Sequence, residues 1–310
     1  MNRRLLRDLD ILTVRLFIAV CEEGTLTRAA EREAIAPSAV SKRLAELETA
    51  LGVALFVRQA KGMTLTSAGQ TMLYHSRRMI QNVHNIGIEL GEYAKGVRGY
   101  VRMVANISSI VQFLPEDLEN FLTRHSEIKV DLAERPSRRV VDEIEDDKAD
   151  IGICAGETDT RHLARVPYHQ DHLLVVLRPD HPLAKEPSVA FRQTLAYDYV
   201  GLHGDSTIFA RSVMASRQID LPLKLKIHVP SFDALCRMVQ ANLGIGLMPD
   251  RAFDVMGRPL GLQAIPLTDD WAQRELVLVH RSDRSLAPCS RMMLDHLAAV
   301  GQRSPMENVG

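Results

Sequence analysis

The chain has 310 residues, 46% of them hydrophobic, and a formal net charge of −1. That length exceeds one ordinary core and implies two or three domains, and no apolar run approaches the roughly 20 residues of a membrane span. Cys21, Cys154, Cys236 and Cys289 are too sparse for a disulfide framework and lack metal-ligand spacing, so neither a metal nor another cofactor is expected.

The first ten residues, M-N-R-R-L-L-R-D-L-D, hold no uninterrupted apolar stretch and no small-residue cleavage site. They read as no secretory signal, and a reducing cytoplasm is the expected compartment. Residues 12–21 form the first predicted helix, with Leu12, Leu16, Phe17 and Val20 as its buried stripe. Thr25 is a suitable N-cap for a second helix. That helix carries the small residues Ala29 and Ala30, with Arg28 near its start either as a phosphate contact or as a solvated surface arginine. A short turn at 34–36 precedes Pro37, whose missing N–H falls among the donors a first turn leaves unpaired. The third helix buries Val40, Leu44, Leu47 and Leu51, and its opposite face presents Ser38, Ser41, Lys42 and Arg43. Two readings fit: a helix-turn-helix that places its polar end in the major groove, or an ordinary helical hairpin with a solvated face.

Residues 57–66 read as two short strands around a turn at Lys61-Gly62. Such a ribbon beside a recognition helix is a wing, with Arg58 and Lys61 facing phosphate or the adjacent minor groove. Between Pro37 and Met63 the cations Lys42, Arg43, Arg58 and Lys61 outnumber the acids Glu46 and Glu48. The overall charge therefore conceals a modest basic patch. From Ser67 to about Lys95 the apolar positions Met72, Met79, Val83, Ile86 and Leu90, with Ser76 in the same series, follow heptad steps. The Gly96-Val-Arg-Gly99 linker after them favours an exposed dimerising helix over one packed on its own domain.

The runs Leu16-Phe-Ile-Ala-Val, Gly24-Thr-Leu-Thr-Arg-Ala-Ala, Ser38-Ala-Val-Ser, Leu47-Glu, Leu51-Gly, Leu55-Phe-Val-Arg and Leu65-Thr-Ser-Ala-Gly resemble, in order and spacing, LysR-type transcriptional regulators. One departure stands out: Ala36-Pro37 replaces the Ser-Gln that the family often carries there. Ala caps poorly and offers no amide to adenine, so base readout should rest on Ser38, Ser41 and Lys42.

After Gly99 the pattern changes to strands alternating with helices. Strands are expected at 100–106, 128–133, 150–155, 172–178, 200–203 and 275–280. After Ile107-Ser108-Ser109, which lie between the first strand and its helix, a helix is expected through Phe113-Leu114-Pro115 to 125, with others at 135–148, 232–240 and 289–300. Repeated βα units imply a parallel sheet with helices on its faces. The runs Lys148-Ala-Asp-Ile-Gly-Ile, His181-Pro-Leu-Ala and Gly244-Ile-Gly-Leu-Met-Pro resemble the periplasmic-binding-protein-like effector domain of the same family.

The resemblance implies a mainly α winged helix-turn-helix at 1–66, a dimerising linker helix at 67–96 and an α/β two-lobed effector domain at 97–303. Lobe I is expected at about 97–167 and 283–303, and lobe II at about 168–282. The implied partners are a partly palindromic double-stranded DNA site, a second copy of the chain in dimers that pair into tetramers, and RNA polymerase.

Ligands of parallel sheets sit at strand carboxyl ends beside helix N-termini. Two such places occur in lobe I, at Ser108-Ser109 and at Ser137, and the family resemblance implies that Ser108 and Ser137 meet an effector carboxylate; Ser206, Thr207, Val229 and Phe232 are the candidate contacts from lobe II. Capping alone is the competing role for the serines. Neutral donors at helix ends suit a small carboxylate or similar anion.

Three other classes fit the chain less well. An enzyme finds no nucleophile elbow or phosphate loop: Gly244-Ile-Gly246 lacks the third glycine of a dinucleotide site, and His169 and His172 flank a strand start. A free-standing solute-binding protein conflicts with the DNA-reading segment. A redox sensor would use the cysteines, of which Cys154 and Cys236 look like small buried hydrophobes.

Overall fold

The structure, a computed structural model, describes residues 8–59, 62–94, 99–282 and 285–303. The chain divides into two compact units, Met1–Lys95 and Gly96–Gly310.

In the first unit, α1 (Ile11–Glu23), α2 (Leu26–Arg32) and α3 (Pro37–Leu51) are followed by the hairpin β1 (Phe56–Gln59) and β2 (Gly62–Leu65), then by α4 (Ser67–Ala94). Asp10 and Thr25 cap α1 and α2 by accepting from the N–H groups of Thr13 and Arg28. Gly24 ends α1 in the left-handed region at φ 72°, which lets the chain turn sharply into α2. Leu16, Phe17 and Val20 of α1, Ala29 and Ala30 of α2, and Val40, Leu44 and Leu47 of α3 share one core with Leu55 and Phe56. Alanines at that crossing let the helices approach closely. Glu48 Oε1 accepts from the backbone of Leu55 (2.7 Å) and Phe56 (3.2 Å), tying α3 to the start of the hairpin.

The heptad series on α4 divides in two. Met72 packs with Leu73 against the winged-helix core, so the seam does not begin there as expected. Val83 and Ile86 stand 46% and 57% exposed, a large apolar stripe left to water in one copy. Met79 is half-buried, and the Leu90 side chain lies outside the described residues.

The second unit is a mixed α/β domain built on a seven-stranded sheet among the described residues, in the order β10-β6-β11-β5-β3-β4 with β9 also on β6. β3 (Gly99–Ala105) pairs parallel with β4 (Ile128–Glu134) and β5 (Ile151–Ala155). α5 (Ile107–Gln112) and α6 (Leu114–Arg124) follow β3, and α7 (Ser137–Glu145) follows β4. The helix expected to run unbroken from beyond Ser109 to 125 instead begins at Ile107 and is broken at Phe113 (φ −135°, ψ −43°), because the ring of Pro115 cannot follow an unbroken α turn.

β6 (Ala164–Leu177) is longer than expected and runs through both lobes. Its residues 164–172 pair with β11 (Gln273–His280), and residues 173–177 pair with β9 (Gly246–Pro249) and β10 (Gln263–Pro266), all antiparallel. Because β11 also pairs with β5, it belongs to the first lobe. There Leu276 and Leu278 share a core with Met103, Phe121, Ile153 and Leu297. Placing all of 168–282 in lobe II therefore misassigns this strand, since a late strand returns to complete the first sheet. α12 (Pro288–Arg303) closes that lobe. The second lobe adds α8 (Phe191–Thr194), the parallel pair β7 (Tyr199–Leu202) and β8 (Leu225–Val229), α9 (Thr207–Gln218), α10 (Phe232–Gln240) and α11 (Asp250–Met256).

Gly69, in the first turn of α4, shows how tightly the winged-helix core is set. A Cβ there would lie 2.1 Å from the Leu55 carbonyl oxygen. Gly69→Ala should cost about 2 kcal/mol by overpacking against backbone, read as a lower unfolding midpoint in denaturant. An unchanged midpoint would mean the α4–hairpin junction gives way freely.

Candidate functional site

The first unit presents the features of a nucleic-acid reader at the start of α3. Ala36 supplies no side-chain cap and Pro37 has no N–H, while the Ala39 N–H turns back to the Ala36 carbonyl at 2.9 Å, so the Ser38 N–H is left open to an external acceptor. Pro37, Ser38 and Lys42 are exposed, and Ser41 is half-buried. Arg28 is also exposed and pairs at 3.2 Å with Glu23, a contact that phosphate displaces readily because surface pairs contribute little. Thr25 spends its hydroxyl oxygen on its own helix cap.

Arg43 departs from its expected place among the DNA contacts. Its Nη1 donates to Asp10 Oδ2 at 2.9 Å and to Thr13 Oγ1 at 3.0 Å, which clamps α3 to the start of α1. Burial raises the Asp10 carboxyl's affinity for its proton, but the Thr13 N–H and hydroxyl and the Arg43 charge outweigh it and hold the carboxyl below its usual range. The hairpin backbone forms as expected, while the Arg58 side chain and all of Lys61 lie outside the described residues.

In the second unit, the ends of β3, β4 and β7 open onto one cleft of about 330 Å³, open to solvent. Asn106, Ile107, Ser108, Glu134, Pro136 and Ser137 line it from the first lobe, and His203, Asp205, Ser206, Thr207 and Ile208 from the second. Four of the expected effector residues are thereby brought together: Ser108, Ser137, Ser206 and Thr207.

Ser137 sits in a defined hydrogen-bonding pattern. Its Oγ accepts from Asn106 Nδ2 and from the Ala155 backbone N–H, each at 3.1 Å. Both lone pairs are then occupied, and the hydroxyl proton is left to donate. Neither α7 nor α9 has a side-chain cap, so both N-termini keep free N–H groups at the cleft.

The floor beneath Ser108 is a buried ion pair. Arg274 Nε and Nη2 donate to Asp171 at 2.7 and 2.5 Å, both side chains being 0% exposed. Arg274 Nη2 also reaches Ser108 Oγ at 3.2 Å. Gln112 Nε2 donates to Asp171 Oδ2 at 2.8 Å and to the Ser108 carbonyl at 3.1 Å. Neither Gln112, Asp171 nor Arg274 stood out in the sequence. A lone charged residue inside a strand reads as a solvent-facing position until its partner across the fold is known.

Both ends of the chain match models of one known family. Residues 11–70 match the bacterial regulatory helix-turn-helix model of the lysR family, and residues 94–302 match the LysR substrate binding domain.

The chain belongs to the LysR family.

Among relatives, the HTH-type transcriptional regulator YbhD of Escherichia coli K12 is 24% identical over 283 residues, covering 91% of this chain and 88% of YbhD. The effector binding domain of QuiR, solved in complex with shikimate, shares the fold at TM-score 0.61 and 19% identity over 66% of this chain and 98% of its own. Full-length CbnR with its target DNA does so at TM-score 0.65 and 18% identity, over 95% and 99%. The LysR-type protein is thus a transcriptional regulator with an N-terminal DNA-binding domain and a two-lobed effector-binding domain.

Three expected effector residues of this LysR-type chain lie elsewhere. Ser109 is fully buried and donates its hydroxyl within the Asn106 cap of α5. Val229 and Phe232 belong to the second lobe's core. Both are apolar, and burial satisfies them without a ligand. His169 stacks on Phe113 at 4.1 Å and contacts Asp117, whereas His172 Nε2 donates to the Leu267 carbonyl at 2.8 Å. The two histidines thus serve separate interior contacts.

Burial pushes the Cys21 and Cys154 thiols up to about 12 and the Cys236 thiol up to about 11. The thiolate that peroxide chemistry needs is scarce at all three.

Two predictions follow from charged groups at these sites. Arg43→Ala should cost the folded chain about 1 kcal/mol, a charge-assisted pair discounted for its partial exposure, whereas Lys42→Ala should leave the denaturation midpoint unchanged. Equal effects of the two would dissolve the clamp. At the start of α11, burial first and the nearby Asp171 charge second raise the Asp250 carboxyl above the usual 3.8. The folded state therefore holds that proton to higher pH than the unfolded state. The stability so gained is present at low pH and is lost as pH rises through the folded value. Asp250→Asn should raise the melting temperature more at pH 7 than at pH 4; a pH-independent change would contradict the assignment.

Proposed function

We propose that this LysR-type regulator senses a small carboxylic acid carrying hydroxyl or amino groups, held between its lobes, and converts that binding into a change in how it holds promoter DNA. The observation that carries the proposal is Ser137. With both oxygen lone pairs occupied by Asn106 and Ala155, its hydroxyl offers only a proton to the cleft. The uncapped N-termini of α7 and α9 add N–H donors from both lobes, a setting that favours an anionic acceptor. Glu134 and Asp205 on the rim are exposed acceptors, so the acid needs donors of its own at its far end. QuiR's partner shikimate is an acid of that description.

DNA contact falls to the open first turn of α3, with Ser38, Ser41 and Lys42 reading bases, and Arg28, Arg58 and Lys61 meeting phosphate. Val83 and Ile86 on α4 give two copies a shared apolar seam, so that paired recognition helices address a partly palindromic site. Dimers of this kind pairing into a tetramer, and contact with RNA polymerase in the cytoplasm, complete the proposed role. The work is binding and not catalysis.

The effector test is a thermal-shift screen of the full chain against hydroxy acids, amino acids, aromatic acids and inorganic anions. A ligand at about 100 times its Kd adds roughly 2.7 kcal/mol, and Ser137→Ala should remove that gain. Stabilisation by an acid that survives Ser137→Ala would move the sensor site elsewhere. On the DNA side, a duplex selected from a random library should lose about one unit of salt slope with Lys42→Ala if that residue meets phosphate, or change sequence preference if it reads bases. No change of either kind would remove Lys42 from the interface.

A further inference from the structure

We propose that Arg274, held by Asp171, is a positioning residue that makes the cleft discriminate an acid from its amide. The proposal rests on the cleft being the effector site and deepens that reading by assigning a residue that has no surface on the ligand. A free serine hydroxyl is ambivalent: it can donate to a carboxylate or accept from an amide N–H. Guanidinium has five N–H donors and no acceptor. By donating to Ser108 Oγ at 3.2 Å, Arg274 can approach only a lone pair, so the hydroxyl's proton turns away from it, toward the cleft that Ser108 lines. The charge beneath the oxygen also strengthens Ser108 as a donor to an anion.

The geometry of Arg274 is fixed by its own neighbours. Asp171 takes Nε and Nη2 side by side, and Gln112 joins Asp171 to the Ser108 carbonyl. Four residues from α5, β6 and β11 thus close a buried loop. Arg274 Nη1 and Gln112 Oε1 remain without a hydrogen-bond partner in it. Asp171 therefore does not satisfy the whole guanidinium, whose Nη1 is left over. Stability alone gives little reason to keep such a pair, since well-packed apolar side chains of similar volume often do as well or better. A role in orienting Ser108 gives one.

The test uses the full chain and titration calorimetry with shikimate, L-malate, L-glutamate and benzoate, each against its primary amide. The wild type should bind at least one acid at least ~10-fold more tightly than the amide, the order expected from one charge-assisted hydrogen bond. Arg274→Lys keeps the charge but loses the planar fork, and it should bring acid and amide to within about 3-fold. Ser108→Ala should do the same, and combining the two should add nothing, because both remove one donor. The double variant Arg274→Gln with Asp171→Asn leaves no unpaired buried charge and serves if Arg274→Lys fails to fold; it should show the same loss of discrimination.

Discrimination that collapses with Ser108→Ala but survives both Arg274 variants overturns the positioning role and leaves the cleft reading standing. Additive losses from Ser108 and Arg274 overturn it as well. If no acid binds the wild type, or binding ignores both Ser108→Ala and Ser137→Ala, the cleft reading itself fails and takes the proposal with it.

Discussion

The effector domain depends on one strand that belongs to two sheets. β6 pairs with β11 through His172 and with β9 and β10 from Leu173 onward, so the lobes share a continuous run of backbone hydrogen bonds. Neither lobe can rotate without bending or re-pairing that strand. The residues at the crossing are therefore where a bound molecule can influence both lobes. Asp171 stands there, fully buried, with Arg274 from β11 and Gln112 from α5 gathered on its carboxylate. An uncompensated carboxylate at such a place would be costly, so Arg274 is obliged to be present. Its reach to Ser108 then links the crossing to the cleft wall.

Coupling between the cleft and the DNA-reading helix needs more than a path. A ligand shifts a conformational equilibrium only by as much as it binds one state better than another. Here the donors come from both sides: Ser108 and Ser137 from one lobe, and the open start of α9 from the other. A ligand that satisfies both sets binds best at one particular lobe separation. That is the differential affinity the regulator needs, and its source is the polarity of a few hydroxyls and amides rather than a large apolar surface.

Much of this was legible in the chain itself. Heptad and helical periodicities located α1, α3 and α4, and strand-ending serines located Ser108 and Ser137 because β3 and β4 end in the same direction. What escaped has identifiable causes. Arg43 looks like a groove contact in sequence, yet its guanidinium turns back to Asp10, a preference set by an acid 33 residues away. The first half of β6 carries Pro167 and the polar run His169-Gln-Asp171, which argues against a strand. Those polar residues are accommodated because the strand crosses a polar floor and not a core. Val229 and Phe232 look like ligand contacts by position along the chain, but their apolar side chains fill the second lobe's interior. Arg274 escaped because a buried charge is recognisable only through a partner 103 residues away.

The most direct test of the central claim is hydrogen–deuterium exchange on the full chain, with and without an acid that binds it. Donation from both lobes predicts slowed exchange at the start of α5 and α7 and, at the same ligand concentration, at 205–209 leading into α9. Protection confined to one lobe would contradict the account.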